Sequence, residues 1–296
     1  CFFLSLAMLT SCGRRNSEKP FNDEPVLLSI VLDQEAGTIS VFRKGSSTAI
    51  VIQNAKPDFR PYLHPIVAPD GKGQLTEYSP GHHKHQTGLY WGFTRVNGDS
   101  IPIDTVRKYF YQKDKFPAMK ASLGRDFFHH PEAEYWKRVS FDVIQNDSSE
   151  VSWQTVYDML DDKGSPILQE TQLWKMREKD GKFFLDLEWQ GKALKDITIG
   201  EYDYGGLFLR MPWKEGIRGE AVNAARQRNE KAEGQRAMWL DVGMQVEGRE
   251  DLAHIAIFDH PENAGFPQPW RVDGQLGIGP VRARMRAWKI KKGETE

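Results

Sequence analysis

Lys182-Phe183-Phe184-Leu185-Asp186-Leu187-Glu188-Trp189-Gln190 decides the fold. Phe183, Leu185, Leu187 and Trp189 share one side of an extended chain, while Asp186 and Glu188 take the other. That period of two is the pattern of a strand with one face buried. Val151, Trp153, Thr155, Tyr157 and Met159 repeat it against Ser152, Gln154 and Asp158. Val281, Ala283, Met285 and Ala287 alternate with Arg282, Arg284 and Arg286, which predicts a further strand with an arginine-bearing solvent face. Strands are also expected over 26–32, 38–43, 89–96, 136–145, 167–176, 206–211, 237–246 and 252–258. Asp180-Gly181, Asp162-Lys163-Gly164 and Asn97-Gly98 supply turns between them.

No segment carries an apolar stripe that would make an amphipathic helix of three or more turns. Residues 223–235 favour helix by propensity but lack such a stripe, so a polar loop is expected there. Many closely spaced strands without crossover helices predict an all-β sandwich, a single domain over residues 24–296. The end of the chain directly after a strand leads us to expect that a final strand is missing.

Composition narrows the function classes. Among 296 residues, 40 Lys and Arg balance 41 Asp and Glu, a net charge of −1, so the strongly basic face of a nucleic-acid binder is not expected. Nine Trp and 11% aromatic residues argue for a packed core rather than disorder. The two cysteines are Cys1 and Cys12. Cys1 to Leu9 is a short apolar run, and Leu9-Thr10-Ser11-Cys12 follows the pattern of a bacterial lipoprotein signal. Residues 1–11 are therefore expected to be removed, Cys12 to be lipidated, and residues 12–23 to form a polar tether. The expected location is the periplasm or cell surface of a bacterium, with the membrane engaged only through the lipid.

Polar residues that neither alternation nor turn chemistry explains collect in four places. The first is Tyr78-Ser79-Pro80-Gly81-His82-His83-Lys84-His85-Gln86-Thr87-Gly88, part of a region from 64 to 130 that holds six of the eight histidines. Spacing by two puts His83 and His85 on one side of an extended segment, and histidine exchanges protons near neutral pH. The second is Glu201-Tyr202-Asp203-Tyr204-Gly205-Gly206, with two carboxylates at the same spacing. The third is Asp259-His260-Pro261-Glu262-Asn263 followed by Trp270. The fourth is Phe59-Arg60-Pro61-Tyr62-Leu63-His64-Pro65.

Taken together and in this order, Arg60–Pro65, His83–Gly92, Tyr204–Leu207, Ala256–Asn263 and Pro269-Trp270 resemble the bacterial PmoA-like family. Past position 11 there is no uncharged apolar run long enough to cross a membrane as a helix, so the methane oxygenase label does not describe this chain. The resemblance implies a secreted or lipid-anchored β-sandwich of glycan-degrading bacteria, similar in shape to the galactose-mutarotase-like supersandwich.

Two functions are expected from these residues. One is an enzyme acting on carbohydrate or an oxidised sugar, of epimerase, lyase or hydrolase type. His83 and His85 serve there as acid or oxyanion stabiliser, Glu201 or Asp203 as base, and His260 belongs to the same centre. Arg60 and Trp270 position the substrate, with Tyr62, Trp91, Tyr202, Glu262 and Asn263 as further binding groups. The other is a carbohydrate-binding lipoprotein without turnover. A divalent metal held by His83, His85 and a carboxylate is a variant of the first, although the residues do not require one.

Overall fold

The computed structural model describes residues 27–111, 123–147 and 149–296. Cys12, the expected signal segment and the tether lie outside the described residues. Alternation becomes strand: strand makes up 47% of the structure and helix 5%, far from the one-third helix common in soluble domains.

The chain begins with β1 (Leu28–Asp33), β2 (Thr38–Arg43), β3 (Ala49–Asn54), β4 (Tyr62–Ile66) and β5 (Leu89–Gly92). A nine-residue helix, α1 (Ile103–Tyr111), is the one α-helix among the described residues. A meander follows: β6 (Trp136–Asn146), β7 (Glu150–Leu160), β8 (Pro166–Lys179) and β9 (Lys182–Ala193). Then come β10 (Ile197–Ile199), β11 (Gly206–Leu209), β12 (Gly219–Asn223), β13 (Trp239–Gln245), β14 (Leu252–Phe258), β15 (Trp270–Val272), β16 (Ile278–Pro280) and β17 (Trp288–Ile290).

All pairings between strands are antiparallel. An eight-stranded sheet runs β1-β2-β3-β4-β5-β11-β16-β15, and the meander β6-β7-β8-β9 forms a second sheet. A three-stranded sheet, β12-β13-β14, and the pair β10-β17 complete the layers. The two main sheets meet through inward side chains. Trp153 Nε1 donates to Gln53 Oε1 at 3.1 Å, Tyr157 OH donates to the Lys56 carbonyl at 2.7 Å, and Trp91 stacks on Trp189 with ring centroids 4.7 Å apart. The fold is an all-β sandwich.

Asp180 and Gly181, with φ of 52° and 66°, close the β8–β9 hairpin in the doubly left-handed turn expected of Asp-Gly. In β6 the alternation slips. The register shifts at 138–140 and 143–145 each skip one residue, Val139 and Ile144, and both lie exposed. Residues 223–235 form the expected loop, apart from one 3-10 turn at Asn229–Lys231.

Two expectations need correction. The segment 281–287 is no strand: Arg282–Arg284 is a 3-10 turn, with the Met285 N–H bonded to the Arg282 carbonyl. Val281 and Ala283 are buried among Tyr202, Tyr204 and Phe208, whereas Met285 is exposed, so one face of the alternation is not buried as a strand's would be. The strand expected over 89–96 stops at Gly92 because Arg95 and Asn97 take positive φ. A Cβ on Gly92 would sit 2.6 Å from the Phe127 carbonyl oxygen, so the absence of a side chain lets the 126–129 segment lie directly on the end of β5.

Candidate active site

The end of β5, the His-rich loop before it and the 126–129 segment meet at one place. The loop is closed by its own backbone: Ser79 N–H donates to the Gln86 carbonyl, and His83 N–H donates to that of Pro80. Its C-terminal end is buried. Gln86 accepts from Arg210 Nε, and Arg210 in turn pairs with Asp273 at 2.6 Å.

Arg60, fully buried, ties the loop to the neighbouring segment. Its Nη1 donates to the carbonyls of Phe127 and Phe128 at 3.1 and 2.6 Å. Its Nη2 donates to the His85 carbonyl at 2.6 Å and to Thr87 Oγ1 at 3.2 Å. The guanidinium lies 3.7 Å from the centroid of the Tyr90 ring. Burial lowers its pKa to about 10, so it stays charged at neutral pH. Arg60 was expected to hold substrate; burial makes it a positioning residue.

Asp126 builds the next piece. Its Oδ1 accepts the backbone N–H groups of Phe128 and His129, both at 3.1 Å, a local turn that fixes the carboxylate. Its Oδ2 lies 2.7 Å from His129 Nδ1. Burial alone would raise the Asp126 pKa, but the His129 charge and hydrogen bonds hold it below the ordinary carboxylate value. An ionised carboxylate can only accept, so Nδ1 carries the proton and Nε2 the lone pair when His129 is neutral.

The rings continue from there. His85 lies 4.4 Å from His129 and 5.7 Å from His83, centroid to centroid, and Tyr204 lies 5.4 Å from His129. The His83 and His85 rings meet across a turn, with Gln86 N–H donating to the His83 carbonyl, and not along the extended segment that their spacing presumed. Burial, reinforced by the His129 and Arg60 charges, pushes the His85 pKa down to about 2. The His83 pKa is lowered as well, first by burial. Neutral His85 can donate or accept one hydrogen bond at each nitrogen according to tautomer, which suits the oxyanion-stabilising alternative of the two roles expected of it. Among the described residues, no three His, Cys, Asp or Glu side chains are arranged to hold a metal ion, which leaves the metal variant without a ligand set.

The remaining expected residues fall in several places. Tyr202 is buried with its hydroxyl 3.2 Å from that of Tyr204. Tyr62 is buried and stacked on Tyr78 at 5.4 Å. Trp270 has no exposed surface and donates Nε1–H to the Ala237 carbonyl at 2.8 Å, so it is core rather than a sugar platform. Trp91 spends one ring face on Trp189. Asp203 is held by Arg107 at 2.6 and 2.8 Å. Burial works to raise its pKa, but that bond and the charges of Arg284, Arg107 and Arg271 leave it lowered. Glu201 is half-buried, and its carbonyl takes an Arg95 hydrogen bond.

His260, Glu262 and Asn263 lie on an exposed loop. Asp259 organises it, accepting from Asn263 Nδ2 at 2.8 Å and from Gln268 N–H at 2.7 Å. The contacts of His260 stay within that loop. The His-rich loop and the 201–204 segment are therefore joined, through His129 and Tyr204, while the bonds of His260 link it to neither.

Asp126 was missed, and His129 counted only as one more histidine. Asp126-Phe127-Phe128-His129 carries a usable signal, since an Asp three before a His allows a turn in which the carboxylate meets the ring.

Residues 49–296 match the model described as "Family of unknown function (DUF6807)". The chain belongs to that family. The match carries no link to the PmoA-like proteins that its motifs resemble. No curated protein and no solved structure matches the chain. Membership in the family covers the whole candidate site, from Arg60 to Tyr204, and names no reaction.

Proposed function

We propose that the protein acts on carbohydrate or a modified sugar by acid–base chemistry centred on His129. The observation that carries this reading is the 2.7 Å Asp126–His129 contact with neutral His85 alongside at 4.4 Å. A carboxylate that fixes a histidine tautomer and stabilises its charged form is the arrangement proton transfer needs. Neutral His85 adds a hydrogen-bonding group for sugar oxygens. Epimerase, lyase and hydrolase reactions all include a proton transfer that such a pair can serve. Lipidation at Cys12 would place this site at the periplasmic or outer surface of a bacterium, where glycans are met.

One observation favours binding without turnover instead. Asp203, expected as a base, is committed to Arg107 and kept ionised. The two readings separate in one experiment. The intact protein is incubated with a panel of neutral and acidic oligosaccharides, followed by proton NMR, in wild-type and His129→Ala forms, with melting curves for both. Turnover that falls roughly 10²–10⁴-fold in the variant at unchanged melting temperature supports the acid–base centre. Binding without turnover in the wild type supports the binder. Turnover that survives His129→Ala overturns the centre.

A further inference from the structure

Tyr204 has neighbours on a second side. The Arg271 guanidinium lies 5.7 Å from its ring centroid, and the residue before it, Asp203, lines a hollow of about 460 Å³ with Arg107, Arg236, Arg284 and Met285. That volume lies within the range of small-molecule sites, roughly 300–1,000 Å³.

Its charges do not cancel. Arg107 forks onto Asp203, while Arg271 and Arg284 both bond Glu233, Arg271 at 2.8 Å. Arg284 Nε also donates to the Asp203 carbonyl at 2.6 Å. The Arg236 guanidinium donates to the backbone carbonyls of Pro267, Gly265 and Phe266, and among the described residues no carboxylate bonds it. Of the three guanidiniums that line the hollow, Arg107 is answered by Asp203 and the exposed Asp104, and Arg284 by Glu233, which leaves the Arg236 charge facing backbone carbonyls. Surplus guanidinium in a concave surface selects oxyanions, since the planar fork matches their geometry.

We infer that this hollow takes the oxyanion substituent, carboxylate or sulfate ester, of an acidic sugar whose ring extends past Tyr204 to His129. The inference deepens the proposed function and rests on its carbohydrate reading. Asp203 and Tyr204 are adjacent in sequence, and Tyr204 touches both the His129 ring and the Arg271 guanidinium, so one saccharide unit or two suffice to span the centres. Arg236 donates to the carbonyls of residues 265–267 and Pro269 lines the hollow, so the stretch that follows the His260 loop borders it.

The test is titration calorimetry on the intact protein at low and at 0.5 M salt. Its probes are inorganic sulfate, hexuronates, hexose 6-sulfates and neutral hexoses, the sugars in both gluco and galacto forms. Met285→Glu plants a carboxylate in the hollow at an exposed position where no hydrogen bond is lost, and Arg236→Gln removes the cation paired only with carbonyls. The inference expects an acidic sugar to bind at least tenfold more tightly than its neutral counterpart. It also expects salt and Met285→Glu each to weaken that binding at least tenfold, with the Met285→Glu melting temperature unchanged. Preference for hexuronate or for hexose sulfate identifies the substituent. Sulfate binding without any sugar binding upholds the anion hollow and removes the carbohydrate reading. Neutral sugars bound equally well, affinity unmoved by Met285→Glu, or no binding of any probe overturns the inference.

Discussion

The His85 ring sits 4.4 Å from the His129 ring, and a single buried arginine holds both in place. Arg60 grips the His85 carbonyl from one side of its fork and the Phe127 and Phe128 carbonyls from the other. Two loops separated by some forty residues thereby share one rigid clamp. The geometry of the centre depends on a side chain with no exposed surface.

Arg60→Met is expected to destabilise the fold by about 3 kcal/mol, because two buried carbonyls and one part-buried carbonyl lose their donor at roughly 1–3 kcal/mol each. Arg60→Lys should recover only part of this, since an ammonium cannot reproduce a planar fork that meets four acceptors. Urea denaturation of the two variants checks both statements; a loss below 1 kcal/mol in Arg60→Met contradicts the clamp.

Trp270 tests the division between core and ligand surface. Its ring is fully buried with Nε1–H bonded to the Ala237 carbonyl, so Trp270→Ala should cost about 3–5 kcal/mol of stability. A sugar platform would behave otherwise, with binding lost and the melting temperature kept.

Glu170 gives the fold a pH dependence. It lies between the sheets with no exposed surface, accepting from Gln172 Nε2 at 2.8 Å and Trp189 Nε1 at 2.7 Å. Burial raises its pKa from an ordinary 4.5 to about 7, against the pull of those bonds and of Arg60. Between pH 4.5 and 7 the native state therefore holds this proton more tightly than the unfolded chain does. Stability then falls as pH rises through that window, by on the order of 3 kcal/mol from this group, and levels off above it. Denaturant melts from pH 4.5 to 8 should show Glu170→Gln losing this fall relative to wild type. Parallel profiles for the two proteins would contradict it.

Much of the sandwich was legible because alternation and Asp-Gly turns are local. Lys182–Gln190 and Val151–Met159 lie within β9 and β7, whose neighbours confirm the inward face. β3 and β4 escaped notice for physical reasons. Pro65 offers no N–H and argues against a central strand, yet β4 lies between β3 and β5, with the register shifting between Val51 and Gln53 opposite it. The Val281–Ala287 alternation misled because Arg284 is drawn to the Asp203 carbonyl and Glu233, contacts far away in sequence. The site was half legible. The His-rich loop was legible as a cluster, although turns and not an extended chain bring the His83 and His85 rings together. Nothing local set Arg60 or Trp270 inside the molecule, or set Tyr204 against His129, since both outcomes depend on which strands pair.

The central claim is that Asp126 and His129 work as one unit in proton transfer. The most direct measurement is kcat/KM for Asp126→Asn, His129→Ala and the double variant, on whichever panel substrate the wild type turns over. Groups that act together lose their effects together. The account predicts a fall of roughly 10²–10⁴-fold for His129→Ala, a large fall for Asp126→Asn, and a double variant no slower than His129→Ala alone. Losses that multiply in the double variant, or full activity in Asp126→Asn, would contradict it.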